Sequence, residues 1–517
     1  MVFIRYKLLV FIIILSIPLF ILSFKSNYLK QDPWKAPAFA DTIISPMPFS
    51  PPFIAEGEKL YNTLCVSCHG QDGLGNGQPG RFNIEPANFH DKKFVNQTDG
   101  SIFWKLSNGK GVMPAYNFAL SEEKRWQLIA YIRQFAKYSA NVKSKSVPIN
   151  NYYIDSNLQS SYFPVPKYVS NATASDDLVF MIDTIASGLI RPWSMSFLPN
   201  GISLIVERSG RILQFKNGVK IDSLSGNIPK NLRDIKLHPN FEKNKLIYLS
   251  FYIDPDKKLG TGGYTALLRA QLIGNQLINE KIIYKAGPFK NSGNYFGSKI
   301  AFDSEGYLYF TVGIHSDRKN AQSLSNYDGK TMRLNDDGSI PKDNPFFKTP
   351  GALPEIYTFG HRMHQGLRKD PKSDRMLSVE FGELGGDELN ILKSGVNYGW
   401  PIATFSLEYN GAIISESPYL EGIEPPLYHF ALAPSDLDLV YGTTYPAWNG
   451  NIFIGGLATK KLFRLVLKDD KVIKEESLLH NFGRIRGVNF GEDQFLYIFT
   501  EDTGLLLRIL PLQHKND

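Results

Sequence analysis

Cys65-Val66-Ser67-Cys68-His69 contains the chain's two cysteines, in a protein of 517 residues. Two thiols spaced C-x-x-C with a histidine directly after them suit covalent haem attachment. The thiols add to the two vinyl groups and the histidine is held beneath the iron. A dithiol redox pair would want a βαβ setting, and a zinc half-site would want two further ligands. Neither stands nearby. Further along, Gly109-Lys-Gly-Val-Met-Pro-Ala115 sets Met113 between a glycine-rich turn and a proline. A soft thioether on such a loop can close the sixth position of an iron, although a methionine taken alone is more often a core residue.

These residues need helices to hold them. Residues 54–64 have helical character, and Gly57 there would let another helix approach closely. Ser121 to Lys137 supplies that helix. Ser121 can cap it, Glu122 and Glu123 suit the positive end of its dipole, and Leu128, Tyr131, Ile132 and Phe135 repeat with helical spacing. With both motifs placed, the segment from Ala55 to about Phe135 resembles the class I cytochrome c family. The resemblance implies a small all-α domain around one haem c, with Cys65 and Cys68 bonded to the haem and His69 and Met113 on its iron. Such a haem carries electrons and binds no substrate, so a source of electrons is expected elsewhere in the chain.

The composition allows for one. Hydrophobic residues make up 43% of the chain and aromatic residues 13%, enough for two or three domains. A formal charge of +7 spread over this length leaves no nucleic-acid footprint. Arg5 and Lys7 precede an apolar run from Leu8 to Phe24, read as a signal peptide or membrane anchor over 1–27. Lys25 and Lys30 directly behind the run favour the anchor. Either way the body is expected outside the cytoplasm, periplasmic or anchored in the inner membrane. Prolines mark 28–52 as an extended spacer ahead of a haem domain at 53–140, and polar residues without period mark 141–177 as a linker.

From 178 to 513 a turn followed by a short apolar run recurs six times, at 202–206, 246–249, 307–310, 376–379, 452–454 and 495–498. Repeated β units without intervening helical patterns predict a six-bladed β-propeller, so the whole is multidomain and mainly β, with the small helical domain N-terminal. Two stacked β-sandwiches are the competing arrangement.

The loops between these units are more specific. Arg191-Pro-Trp-Ser-Met-Ser-Phe-Leu-Pro-Asn-Gly201, Arg333 to Phe346, Gly360-His-Arg-Met-His-Gln-Gly366, Gly385-Gly-Asp-Glu-Leu-Asn390, Asn397-Tyr-Gly-Trp-Pro401 and Gly483-Arg-Ile-Arg-Gly487 resemble, in order, the soluble PQQ-dependent glucose and aldose sugar dehydrogenase family. The resemblance implies PQQ and Ca²⁺ at the mouth of the central channel. Arg362, Arg484 and Arg486 match the family's cofactor arginines, and guanidinium groups bind carboxylates in bidentate fashion. The carbonyls of Gly382 and Glu383 match its calcium ligands beside the quinone. Glu388 and the Tyr398 carbonyl match a second, structural calcium site.

Four positions depart from the family, two of them in its catalytic pair. Tyr295 stands where the catalytic histidine belongs and Ile314 where its orienting aspartate belongs. Met363 follows the cofactor arginine in place of asparagine, and Pro229 lies near the position of an expected glutamine. An ordinary tyrosine is a poor base at neutral pH. His315 and His364 lie close to the departed positions and are the replacement candidates, against the plainer reading of loop histidines without a role. The expectation is an exported quinohaem oxidoreductase that takes electrons from a sugar, alcohol or aldehyde and passes them through the haem to a respiratory acceptor. The alternative is a cytochrome carrying a catalytically degenerate propeller as a docking module. A calcium-dependent lactonase explains the acidic loops but neither the arginines nor the haem.

Overall fold

The computed structural model describes residues 34–43, 45–46, 50–77, 86–110, 113–117, 119–138, 147–254, 263–289, 297–315, 317–409, 412–479 and 482–515. The apolar run at 8–24 and Tyr295 lie outside them. Among the described residues no helix is long and apolar enough to cross a membrane.

The N-terminal domain packs α1 (Pro51–Leu64), α2 (Val66–His69), α3 (Lys92–Val95), α4 (Asp99–Asn108) and α5 (Glu122–Tyr138). Thr98 caps α4 by accepting the Ser101 N–H at 3.0 Å, and Ser121 accepts the Lys124 N–H at the start of α5. Helices α1 and α5 cross at Gly57, where a Cβ would lie 1.9 Å from the Gln127 carbonyl oxygen, so only glycine permits this approach. Tyr61, Trp126, Leu128 and Phe135 fill the core, with Trp126 stacked on Phe103 at 4.3 Å.

The described part of the spacer is not extended. Ala38–Thr42 forms a 3₁₀ turn whose Asp41 accepts hydrogen bonds from Thr98 at 2.6 Å and Ser101 at 2.7 Å, holding it on the N-terminus of α4.

Six antiparallel sheets follow in chain order. The first five have four strands each: 192–223, 232–289, 300–359, 364–430 and 434–478. The sixth joins the strands of 485–511 to Val179–Ala186 and Thr173–Ala174 from the start of the domain, so the ring is closed by strands far apart in sequence. The first strands of successive sheets neighbour one another around the circle. This is a six-bladed propeller, and each of the six apolar runs in the sequence falls in the second strand of its blade.

Residues 147–177 are packed rather than free. Tyr162 and Phe163 are buried in the core of the closing blade. Arg508, also buried, donates to the Phe163 carbonyl at 2.8 Å and the Pro164 carbonyl at 2.7 Å, and Tyr152 pairs in register with His514. These contacts fasten the segment to the propeller, so from 147 onward it cannot act as a hinge.

The haem domain sits directly on the propeller. Leu384, Leu407 and Ala431 belong to the same buried cluster as Tyr61, Cys65 and Tyr116. A Cβ on Gly385 would lie 1.8 Å from the Thr63 carbonyl oxygen, so backbone meets backbone where α1 ends. Burying Leu384 and Leu407 contributes about 1.5–3 kcal/mol each.

Candidate active site at the propeller mouth

The haem pocket is built from one short stretch. Cys65 ends α1, and α2 then turns Cys68 and His69 onto the same side. Cys65 is buried and Cys68 half-buried, and the two form no disulfide. Nδ1 of His69 lies 3.1 Å from the Ala87 carbonyl, which fixes that nitrogen as the donor and leaves Nε2 for a metal. Burial pulls the imidazole down to about 4, so it is neutral and able to ligate at ordinary pH. Phe89 stacks on the ring at 4.5 Å. Met113 is held by a tight backbone exchange with Lys110, at 3.0 and 3.1 Å, and packs against the haem-domain core. This donor set suits a covalently attached haem.

The second site gathers at the starts of the innermost strands. Arg362 precedes blade 4 and is almost fully buried. Its guanidinium lies 3.4 Å from the Tyr409 hydroxyl, 3.8 Å from Glu383 and 5.4 Å from the centre of the Trp400 ring. Arg318 completes this wall by a two-point pair with Glu408 at 2.5 and 3.1 Å, and lies 3.7 Å from Glu383. Burial raises the Glu383 carboxyl against the pull of these two arginines.

Gly382 and Glu383 are shaped by their neighbours. Asp387 accepts the Gly382 N–H at 2.9 Å together with the N–H groups of Leu432 and Ala433, and Ser406 takes the Glu383 N–H. The Gly382 and Glu383 carbonyls accept no hydrogen bond from the described residues. Adjacent carbonyl oxygens in that state suit a hard cation.

Across the mouth, Arg486 stacks on Trp193 at 3.9 Å, pairs with Glu501 and donates to Gln365 at 3.4 Å. Arg208 and Arg233 lie over the same ring at 5.2 and 5.1 Å. Glu501 also faces Arg191 at 3.2 Å and Arg484 at 3.9 Å. Burial and the nearby Arg208, Arg486 and Arg191 pull Arg233 down to about 9. Two carboxylates, Glu501 and Asp254, face five guanidinium groups, those of Arg191, Arg208, Arg233, Arg484 and Arg486, so positive charge is in excess, and a polycarboxylate is the anion that this geometry accepts.

Of the three base candidates, His315 and His364 fall among the described residues. His315 is buried with Nδ1 3.5 Å from Asp328, whose carboxylate also accepts the His315 N–H at 2.9 Å. Ile314 donates its N–H to the Arg362 carbonyl at 3.0 Å, which puts this pair beside the arginine, while its side chain packs with Ala321 and Trp400. His364 does not face the mouth. Its ring is wholly buried against His361 at 4.1 Å, and burial followed by that neighbour pulls it down to about 3. So weak a base, tied at Nδ1 to the Ser378 hydroxyl inside the blade, is a poor acceptor for a substrate proton, which removes His364 from that role. Glu388 is likewise buried inside blade 4, and Tyr398 stacks on His361 at 4.6 Å and donates its hydroxyl to Ile391. The sequence reading did not anticipate Arg318, Glu408, Tyr409, Trp193, Arg233 or Asp328, which come from separate loops and blades and form no local motif.

A family model described as "Glucose / Sorbosone dehydrogenase" matches residues 189–508. The chain belongs to the glucose/sorbosone dehydrogenase family. A second model, "Cytochrome C oxidase, cbb3-type, subunit III", matches residues 52–132, so the family's propeller is here fused to a cytochrome c domain. The aldose sugar dehydrogenase YliI of Escherichia coli is 32% identical over 68% of this chain and 99% of its own length. The apo-form structure of the Escherichia coli soluble aldose sugar dehydrogenase aligns with a TM-score of 0.61 at 32% identity, covering 64% of this chain and 99% of that one. The PQQ-bound aldose sugar dehydrogenase of Streptomyces coelicolor aligns with a TM-score of 0.52 at 26% identity, covering 65% of this chain and 98% of that one. The chain is thus a sugar dehydrogenase-type oxidoreductase carrying its own haem domain.

Proposed function

We propose that this chain is an exported quinohaem dehydrogenase that oxidises a sugar or related alcohol or aldehyde at the propeller mouth and passes the electrons through its own haem to a respiratory acceptor. The observation that carries the reading is the docking contact. The Thr63 carbonyl lies against Gly385, and Leu384 shares one buried cluster with Cys65, directly after Gly382 and Glu383. The haem attachment site therefore adjoins the loop proposed to hold the calcium of the quinone site.

Arg362, Arg484 and Arg486 would hold PQQ by its carboxylates, with Ca²⁺ on the Gly382 and Glu383 carbonyls. When bound, the quinone would supply a two-electron acceptor for the oxidised carbon and the haem a one-electron carrier to the next acceptor. The chain's own part is to bind, orient and move a proton. Arg362 fixes the reacting face, backed by Trp400 and Tyr409. His315 takes the hydroxyl proton, with Asp328 orienting the ring and stabilising its charged form as a carboxylate partner does in other histidine bases. This reading transfers the base from the family's position, now Tyr295, to the neighbouring strand end. Export rests on the apolar run at 8–24 and on the covalent haem.

The test is an absorbance titration of haem-loaded protein with PQQ and Ca²⁺, followed by a panel of aldoses and polyols with no added acceptor. Reduction of the protein's own haem is expected. Stoichiometric quinone uptake with an oxidised haem across the panel overturns the proposal. The degenerate-propeller reading draws on Tyr295 and Ile314 and predicts no quinone uptake at all.

A further inference from the structure

Blade 4 carries a row of metal-ligand side chains unlike anything else in the described residues. His364 pairs in register with Glu380, Glu380 with Glu388, and Glu388 with His429, so four such residues stand side by side across four strands. Paired residues project from the same face of a sheet. His361 joins them from the preceding turn with Nδ1 2.8 Å from Glu380. One ligand atom from each of His361, His364 and Glu380 lies within 4.8 Å of the other two, and all three residues are buried.

Among the described residues His361 is the one basic side chain that pairs with a carboxylate of this row. Asn390 donates its side-chain amide to both carboxylates, to Glu380 at 2.9 Å and to Glu388 at 3.1 Å, and Glu380 also accepts from His361 and from the Arg362 N–H. Among the described residues no lysine or arginine pairs with either carboxylate. The Asn390 Oδ1 and the His429 Nδ1 are buried without a partner among those residues. The histidine tautomer is also set. Ser378 gives its hydroxyl proton to the Gly366 carbonyl, so it must receive from Nδ1 of His364 at 2.6 Å. That leaves Nε2 of His364 as the acceptor nitrogen, with only the Thr331 hydroxyl near it among the described residues, at 3.4 Å.

The family resemblance assigns Glu388 and the Tyr398 carbonyl to a structural calcium. Calcium takes six to eight oxygen ligands, whereas this site offers two imidazoles beside two carboxylates. We propose that His361, His364 and Glu380, with Glu388 supplying the second negative charge, bind a divalent first-row transition ion of the zinc class rather than calcium. Two imidazoles and a carboxylate are a common zinc set, and two carboxylates neutralise the ion's charge within the blade. The ion would be structural. Glu380 accepts the Arg362 N–H at 2.8 Å, and Gly382 follows it by two residues, so the ion would brace both the cofactor arginine and the loop beneath it. The inference stands independently of the quinone reading.

The test is elemental analysis of the full, haem-loaded chain after dialysis against millimolar Ca²⁺, with iron as the count of chains. About one zinc-class ion per haem iron is expected in the native chain. His364→Ala and His364→Asn should lose it while keeping the haem spectrum. A strong chelator should lower the Tm of the native chain by several degrees and leave that of the variants unchanged. Calcium in place of the transition ion, no metal beyond haem iron in the native chain, or full retention of the ion by either variant would overturn the proposal. Should both variants fail to fold, the native metal content still decides.

Discussion

The haem domain and the propeller mouth hold charge-bearing chemistry in opposite ways. In the first, Cys65, Cys68 and His69 come from one helical turn, Met113 from one loop, and the surroundings are apolar. In the second, Arg191, Arg233, Arg362 and Arg486 arrive from the starts of four different blades, and each leans on a ring or carboxylate supplied by yet another segment. The first site is local and depends on every member. The second is distributed, and its members share one field, as the depressed Arg233 shows. Damage to the haem pocket should therefore be all or none, whereas damage at the mouth should be graded.

The largest expected effect is His69→Ala combined with Cys68→Ala. Stable haem is lost and no substrate-driven absorbance change survives, while quinone binding to the propeller persists. Measurable haem reduction in that variant would break the contrast between a local and a distributed site. Next comes His315→Gln, for which kcat should fall by about 10²–10⁴ with the haem spectrum and quinone uptake intact. Unchanged turnover there would return the base to another residue.

Arg486→Ala should weaken quinone binding by about 10- to 100-fold, the worth of one charge-assisted hydrogen bond. Arg484→Ala should cost less, because Arg484 is more exposed and lies 3.9 Å from Glu501. Equal losses at the two positions would argue against a shared, unevenly buried field. The smallest effect should be Gly57→Ala. Its Cβ meets the Gln127 carbonyl, so the haem domain should lose about 1–3 kcal/mol by thermal melting with no change at the mouth.

The same contrast explains what was legible beforehand. The haem site was readable because its residues are neighbours in the chain, and Gly57 and Ser121 announced the crossing and the cap that support them. The six blades were readable through their second strands, since a turn followed by an apolar run survives any loop length. The packed segment at 147–177 was not, because Tyr162 and Phe163 stand among polar residues and reveal their burial only once Arg508 folds over them. His364 stood as a candidate base beside the plainer reading of a loop histidine without a role, because its place in the sequence, two residues from Arg362, does not reveal that its ring turns into the blade. Arg318, Glu408 and Tyr409 meet Arg362 by loop geometry, which no spacing encodes.

The central claim is that the docked haem is the immediate acceptor for electrons from the same chain's propeller. It is tested most directly by the rate of haem reduction after rapid mixing of the PQQ- and Ca²⁺-loaded protein with sugar, measured over a wide range of protein concentration. The docking of Thr63 on Gly385, with Cys65 and Leu384 in one buried cluster, predicts a first-order rate that does not change with protein concentration. A rate that rises in proportion to protein concentration would mean that electrons pass between molecules, and would contradict the account.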